Sequence, residues 1–178
     1  EVFSTEEKPH PSNARAILRQ VLKQSDAHDH PLLGYEQEYS FLSSTDRLPL
    51  GWPQKGAPKP QGPYYCGVGS ETIFGREIVE EHAQMCLDAG LLLYGTNAEV
   101  MPAQWEFQIG PRDFDSTLGN ESANPLRTAD DLWLARWLLH RIAEDYHVMV
   151  TFENKIVSGD WNGAGCHTNF STAPMRTP

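Results

Sequence analysis

The sequence has few cysteines, few basic residues and no long apolar run, and each shortage excludes a class of protein. Its three cysteines, Cys66, Cys86 and Cys166, are odd in number and widely spaced, with no C-x-x-C pair. That pattern argues against a disulfide framework or a zinc ribbon and points to a reducing, cytoplasmic compartment. Fourteen Lys and Arg stand against 24 Asp and Glu, a net charge of −10. Such a balance argues against nucleic-acid binding and suits a site that collects cations. No stretch approaches the roughly 18 apolar residues of a membrane span, so no membrane partner is expected. A basic-then-apolar leader is missing as well. Gly67-x-Gly69 and Gly163-x-Gly165 lack the continuation that a Walker or dinucleotide fingerprint requires. There is no internal repeat.

What remains is an ordinary globular composition, with 39% apolar and 21% charged residues over 178 positions, the length of one domain. The chain starts at Glu1 and stops at Thr177-Pro178 without a capping or tail signal, and so reads as a piece of something longer.

Ser12 or Asn13 can cap a helix to about Gln24 that carries Ala14, Ile17, Leu18, Val21 and Leu22 on one face, broken at His28 to Pro31. Leu33 to Leu42 reads as a strand. Five prolines and three glycines between Pro49 and Pro63 forbid regular structure there. A second helix is expected over Phe74 to Ala89 with Gly90 closing it. A short strand follows at Leu91 to Tyr94, another strand-like stretch at Thr96 to Ile109, and a polar loop at Pro111 to Pro125. The third helix starts from Thr128 as N-cap, with Asp130 and Asp131 in its first turn, and runs to about Tyr146. Val148 to Phe152 and Cys166 to Ser171 complete an irregular alternation, which favours α+β.

Glu36 and Glu38 flank Gln37 in the first strand and so share a face, about 7 Å apart along it. Alone, this pair reads as a solvated strand face. Gln104, Glu106 and Gln108 alternate with Trp105, Phe107 and Ile109, while Asn97 and Glu99 alternate in the opposite phase. A bulge or turn at Met101-Pro102-Ala103 would bring both glutamates to one side, so that four carboxylates converge from two strands. His167, Asn169 and Ser171 share a strand face, with glycines ahead that permit close approach. Oxygen ligands with one imidazole select Mg²⁺ or Mn²⁺, which points to phosphoryl chemistry. Cys166, on the opposite face from His167, is expected in the core. His82, His140 and the Trp133/Trp137 pair read as helix packing.

Four blocks carry a resemblance: Gly34 to Tyr39, Gln61 to Gly69, Asn97 to Pro111 and Asn162 to Ser171. Together they closely resemble the glutamine synthetase family of the eukaryotic-like type II class, over roughly residues 30 to 175. The resemblance implies an α+β catalytic domain with a curved antiparallel sheet and flanking helices, incomplete at both ends. Residues 1–31 would be a linker and helix leading into a partial metal- and ATP-binding domain at 32–178. It also implies two or three Mg²⁺ or Mn²⁺ ions. Glu38, Glu99 and Glu106 would be catalytic, holding the ion that activates glutamate, and Glu36 and His167 would hold the ion on the ATP phosphates. Asp160, Trp161, Asn162 and Gly163 would meet the substrate glutamate, with Asp160 standing where many members have Asn. Glu36, Glu106, Phe107, Gln108, Ile109, Gly110, Pro111, Asn169, Phe170 and Ser171 would meet ATP. The implied reaction joins glutamate and ammonia to glutamine through γ-glutamyl phosphate. The family's clamping arginines and a last metal-binding glutamate would follow Pro178, a small β domain would precede Glu1, and members form double-ring homo-oligomers. The 178 residues alone are therefore expected to be inactive. A γ-glutamyl ligase using an amine and a non-catalytic relative stay open as alternatives. The segment Arg112 to Pro125 reads as a surface elaboration.

Overall fold

The computed structural model describes residues 1–25, 29–111 and 124–176. His28, the first residue of the break expected at His28 to Pro31, and most of the segment Arg112 to Pro125 lie outside the described residues. Helix α1 (Ala14–Gln24) is capped by Asn13, whose side chain accepts from the Ala16 amide at 3.1 Å. Asn13→Ala should therefore cost about 1 kcal/mol, read as a lowered urea midpoint at unchanged slope. The apolar face expected on α1 is only partly covered by the described residues: Ile17 and Val21 are more than half exposed, Leu18 and Leu22 are half-buried, and only Ala16 is buried. The helix is tethered instead by a two-pronged ion pair from Arg15 to Asp130, both contacts 2.7 Å.

Strand β1 (Leu32–Ser43) is the spine of the sheet. Helix α2 (Arg76–Asp88) starts from Gly75, held at φ +83° where an added Cβ would lie 2.7 Å from the Phe41 ring. It ends before Gly90, whose φ of +71° fits the closing position expected for it. Strands β2 (Leu93–Ala98) and β3 (Gln104–Ile109) form an antiparallel hairpin. The strand expected at Leu91 to Tyr94 and the first residues of the stretch expected at Thr96 to Ile109 thus form one strand, and the chain reverses in the turn around Met101-Pro102-Ala103 before the rest of that stretch forms β3. Ala103 takes φ +58° there.

Helix α3 (Pro125–Asp145) starts earlier than expected, with Asn124 as N-cap accepting from the Leu126 amide at 2.9 Å. Pro125 fits the first helical position because that residue needs no amide donor. Thr128 is a buried helical residue rather than the cap, and Asp131 is not in the first turn. Asp131 instead accepts from the Leu92 amide (2.9 Å) and from Arg127 (2.7 Å), tying α3 to the entry of β2. Strands β4 (Val148–Thr151) and β5 (Cys166–Ser171) follow, then a single turn, α4 (Ala173–Arg176).

The five antiparallel strands run in the order β2-β3-β1-β4, and β5 also pairs with β1. Strand β5 takes the first half of β1's free edge, at Leu32 to Gln37, and β4 the second half, at Ser40 to Ser43. Odd-numbered residues of β1 and β3 face the helices: Tyr39, Phe41, Trp105, Phe107 and Ile109 are nearly or completely buried against residues such as Ile78, Val79, Ala135 and Leu139. His82 belongs to this core, its Nε2 2.9 Å from the Ala135 carbonyl and its ring 5.2 Å from that of Phe107. Burial pushes its pKa down to about 4, so it sits there neutral. His140 packs edge-on to Phe152. Trp133 and Trp137, by contrast, are 67% and 59% exposed, because the buried stripe of α3 runs through Leu132, Ala135, Leu139 and Ile142 instead. Cys166 is exposed, not core, because β5 is an edge strand. No helix among the described residues is long and apolar enough to cross a membrane.

Candidate active site

With one face of the sheet packed on helices, the even-numbered residues of β1 and β3 are left for chemistry. Glu38 stands directly opposite Glu106 across the β1–β3 ladder, and Asn97 of β2 stands opposite Glu106 on its other side. Glu99 reaches the same place from the turn after β2. One carboxylate oxygen each from Glu38, Glu99 and Glu106 lies within 4.8 Å of the others. The convergence comes from three elements rather than two strands, and it involves three carboxylates at close range. Each glutamate is less than a tenth exposed.

Their immediate polar partners among the described residues are donors of hydrogen bonds. Glu99 accepts from Asn97 Nδ2 (3.1 Å), Glu106 from Gln108 Nε2, and Glu38 from the Gly165 amide (2.5 Å). Among the described residues no ion pair reaches any of the three, and the more distant His167 offsets only a little of the negative charge, at Glu106. Burial raises the pKa of Glu99, and the charges of Glu38 and Glu106 raise it further. Glu106 is raised by burial and by Glu36 and Glu38, against the pull of its Gln108 hydrogen bond. An oxygen-only cage of three buried carboxylates fits a hard divalent cation such as Mg²⁺ or Mn²⁺.

A raised carboxyl pKa means the fold holds the proton more tightly than the unfolded chain does. The stabilisation from Glu99 and Glu106 is thus complete below the ordinary glutamate range and is lost as pH rises through their raised values. Thermal melts of the metal-free chain should show this decline as the pH rises above the ordinary glutamate range. Mn²⁺ should abolish the decline, as should the double variant Glu99→Gln/Glu106→Gln. A slope unchanged in that variant would assign it to other groups.

Glu36 lies along the same face but in a second cluster. Its Oε2 is 3.2 Å from His167 Nδ1 and its Oε1 accepts from Asn169 Nδ2 at 2.8 Å. The register places Glu36 opposite His167 on β5. A family model described as glutamine synthetase, catalytic domain, matches residues 11–177.

The chain belongs to the glutamine synthetase catalytic-domain family.

Curated glutamine synthetases agree with that membership. The chain is 52% identical to the mouse protein over 176 residues, 99% of this chain but 44% of that protein. It is 53% identical to the Streptomyces viridochromogenes protein, covering 47% of it, and 51% identical to the Panulirus argus protein, covering 46% of it. The chain thus spans less than half the length of these relatives. A solved structure described as apo GmaS without ligand shares the fold, with a TM-score of 0.69 at 23% identity, covering 96% of this chain and 37% of that one.

The glutamine synthetase blocks fall around the carboxylates in different ways. In the loop before β5, Asn162 is tied to the site face by its Nδ2 bond to Gln104 Oε1 (2.8 Å), and its amide donates to Gln61 Oε1 (2.7 Å). Trp161 packs on Trp52 with ring centroids 5.0 Å apart. Gly163 passes so close to the Asn154 carbonyl that a Cβ would stand 2.9 Å from it, while Asp160 is exposed. Gly110, Pro111, Asn169, Phe170 and Ser171 line one cleft of about 400 Å³, together with Leu32, Leu33, Gly34 and Tyr94. Glu106 belongs to the carboxylate cage instead, with Gln108 beside it. Phe107 and Ile109 have no exposed surface, because odd positions of β3 face the helices, so their side chains do not reach the cleft. Sequence reasoning gave Gln61 no role beyond its place in a resembling block, and it missed Tyr94 and the Gly165 amide as parts of this face. Only the glycine pair before β5 hinted at the last.

Proposed function

We propose that this chain is the metal-binding part of an ATP-dependent glutamate–ammonia ligase. The observation that carries the reading is the buried three-glutamate cage beside the Glu36–His167–Asn169 cluster. ATP would pass its γ-phosphoryl group to the side-chain carboxylate of glutamate, and ammonia would then displace phosphate from the γ-glutamyl phosphate. Donor and acceptor are both anions, so their approach is opposed unless cations neutralise the charge.

Glu38, Glu99 and Glu106 would hold one Mg²⁺ or Mn²⁺ and Glu36 with His167 another. Bound there, the ions would supply charge neutralisation and polarise the phosphoryl and carboxylate oxygens. This chain's own residues shape the rest. Asn97 and Gln108 fix the rotamers of Glu99 and Glu106 by donating to them, and Asn169 does the same for Glu36. The cleft between Gly34, Gly110 and Phe170 would take the nucleotide, its glycine backbones permitting close approach. The loop at Trp161 to Gly163, held by Gln104 and Gln61, would face the amino-acid substrate. Relatives bearing the glutamine synthetase name at about half identity support the same reading.

The test is glutamine formation by the complete protein encoded around this chain, with ammonia, methylamine, ethanolamine and a polyamine as competing acceptors. Preference for ammonia, dependent on ATP and Mg²⁺, is the expected result; preference for an amine would move the enzyme to another γ-glutamyl ligase. The complete protein would act as a homo-oligomer, and the 178 residues alone should give little or no turnover.

A further inference from the structure

Gln37, the residue between the two glutamates of β1, points away from the site and is 2% exposed. Its carboxamide is nevertheless fully used. The Oε1 accepts from both Nε (2.8 Å) and Nη2 of Arg136 on α3. Nε2 donates to the Glu38 carbonyl (2.7 Å) and to the Gly165 carbonyl (3.1 Å). Gly165 is the residue that completes Glu38 from the other side: its carbonyl accepts from the Glu38 amide at 3.0 Å and its own amide donates to Glu38 Oε2. The Arg136 guanidinium is held in turn between aromatic faces, 5.1 Å from the Trp133 ring centroid and 5.2 Å from that of Phe152.

We propose that Gln37 and Arg136 are positioning residues that set the Glu38 carboxylate for metal binding from the helix side of the sheet. The inference rests on the metal reading of the glutamate cage. The bonds form one route through the sheet: α3 fixes Arg136, Arg136 orients the Gln37 amide, Gln37 pins the Gly165 peptide, and Gly165 locks the Glu38 rotamer. Only an amide can serve at position 37, because the site asks for an acceptor toward a guanidinium and two donors toward two carbonyls. A glutamate of the same shape keeps the first bond and turns the other two into oxygen–oxygen contacts. The exposed Trp133 also gains a reason, as one wall of the Arg136 slot.

Two readouts on the full chain test this. In the metal-free protein, Gln37→Glu should speed amide hydrogen exchange at Gly165 at least about tenfold, since its peptide loses a tie. Mn²⁺ titration followed by electron paramagnetic resonance should show affinity at the glutamate cage falling about 10- to 100-fold, the usual effect of losing an outer-shell partner. Arg136→Gln should weaken Mn²⁺ by about tenfold from the helix side without touching a strand, and Arg136→Lys should recover to within about threefold of wild type. Unchanged Mn²⁺ affinity in both Gln37→Glu and Arg136→Gln would overturn the inference while leaving the cage intact as a metal site. Weakened affinity with Gly165 exchange unmoved would also overturn it, because the effect would not travel by this route. Wild type that binds no Mn²⁺ would overturn the metal reading itself, and the inference with it.

Discussion

Glu99→Gln is expected to lower Mn²⁺ affinity by more than about 100-fold, beyond what loss of an outer-shell partner costs, while the chain keeps its fold. The reasoning is geometric. Glu99 supplies one of three oxygens that gather within 4.8 Å, and it does so from a turn rather than a strand. No other acidic side chain joins the cage to take its place among the described residues. An amide in its position keeps the size and the Asn97 hydrogen bond but removes a charge and a strong donor to a hard cation. The same change relieves repulsion with Glu38 and Glu106, so the metal-free variant should melt at or above the wild-type temperature. Isothermal titration and a melting curve on one sample read both halves. A variant that binds Mn²⁺ normally would remove Glu99 from the cage. One that unfolds would show that the glutamate serves packing instead.

Phe107→Ala is expected to do the opposite, destabilising the chain by about 3–5 kcal/mol, the usual range for emptying a large aromatic site in a core. Phe107 follows Glu106 in β3 and points to the helices. It has no exposed surface, and its ring meets Tyr39 at 5.9 Å and His82 at 5.2 Å between centroids. Both partners are fully buried in a packed core, so the hole collapses only in part. His82 would also gain room for water beside a ring held neutral by burial. Denaturant unfolding checks the magnitude. A cost below about 1 kcal/mol would contradict the two-faced account of β3, because that is the range of surface positions. Two neighbouring residues therefore face opposite ways: Glu106 joins the carboxylate cage, and Phe107 holds the sheet to its helices.

That division was legible in the sequence because a strand alternates with period two. Gln104 to Ile109 shows its polar and apolar faces plainly, and the phase break between Glu99 and Glu106 correctly demanded an interruption near Pro102. What the pattern could not distinguish was a bulge in one strand from a reversal into a hairpin. Both restore the phase, and only the pairing of Thr96 with Phe107 decides between them. Helix α3 shows a different failure. Asn124-Pro125 is a sound cap and first helical residue, but a proline beside a polar loop reads more readily as a breaker than as a start. Exposure was harder still. Ile17, Val21, Trp133 and Trp137 have the spacing of a buried stripe, yet spacing says nothing of whether another element lies against it. Cys166 failed for the same reason, since nothing local marks β5 as an edge. Gln37 is the sharpest case. In the sequence it is a spacer between two glutamates, and its partners Arg136 and Gly165 lie 99 and 128 residues away.

The most direct test of the whole account follows oxygen rather than affinity. Glutamate labelled with ¹⁸O in its side-chain carboxylate, incubated with the complete protein, ATP, Mg²⁺ and ammonia, should transfer one labelled oxygen to each inorganic phosphate released as glutamine forms. Glu99→Gln should release no labelled phosphate. Phosphate released without label, at the wild-type rate and whether or not glutamate is present, would contradict the account.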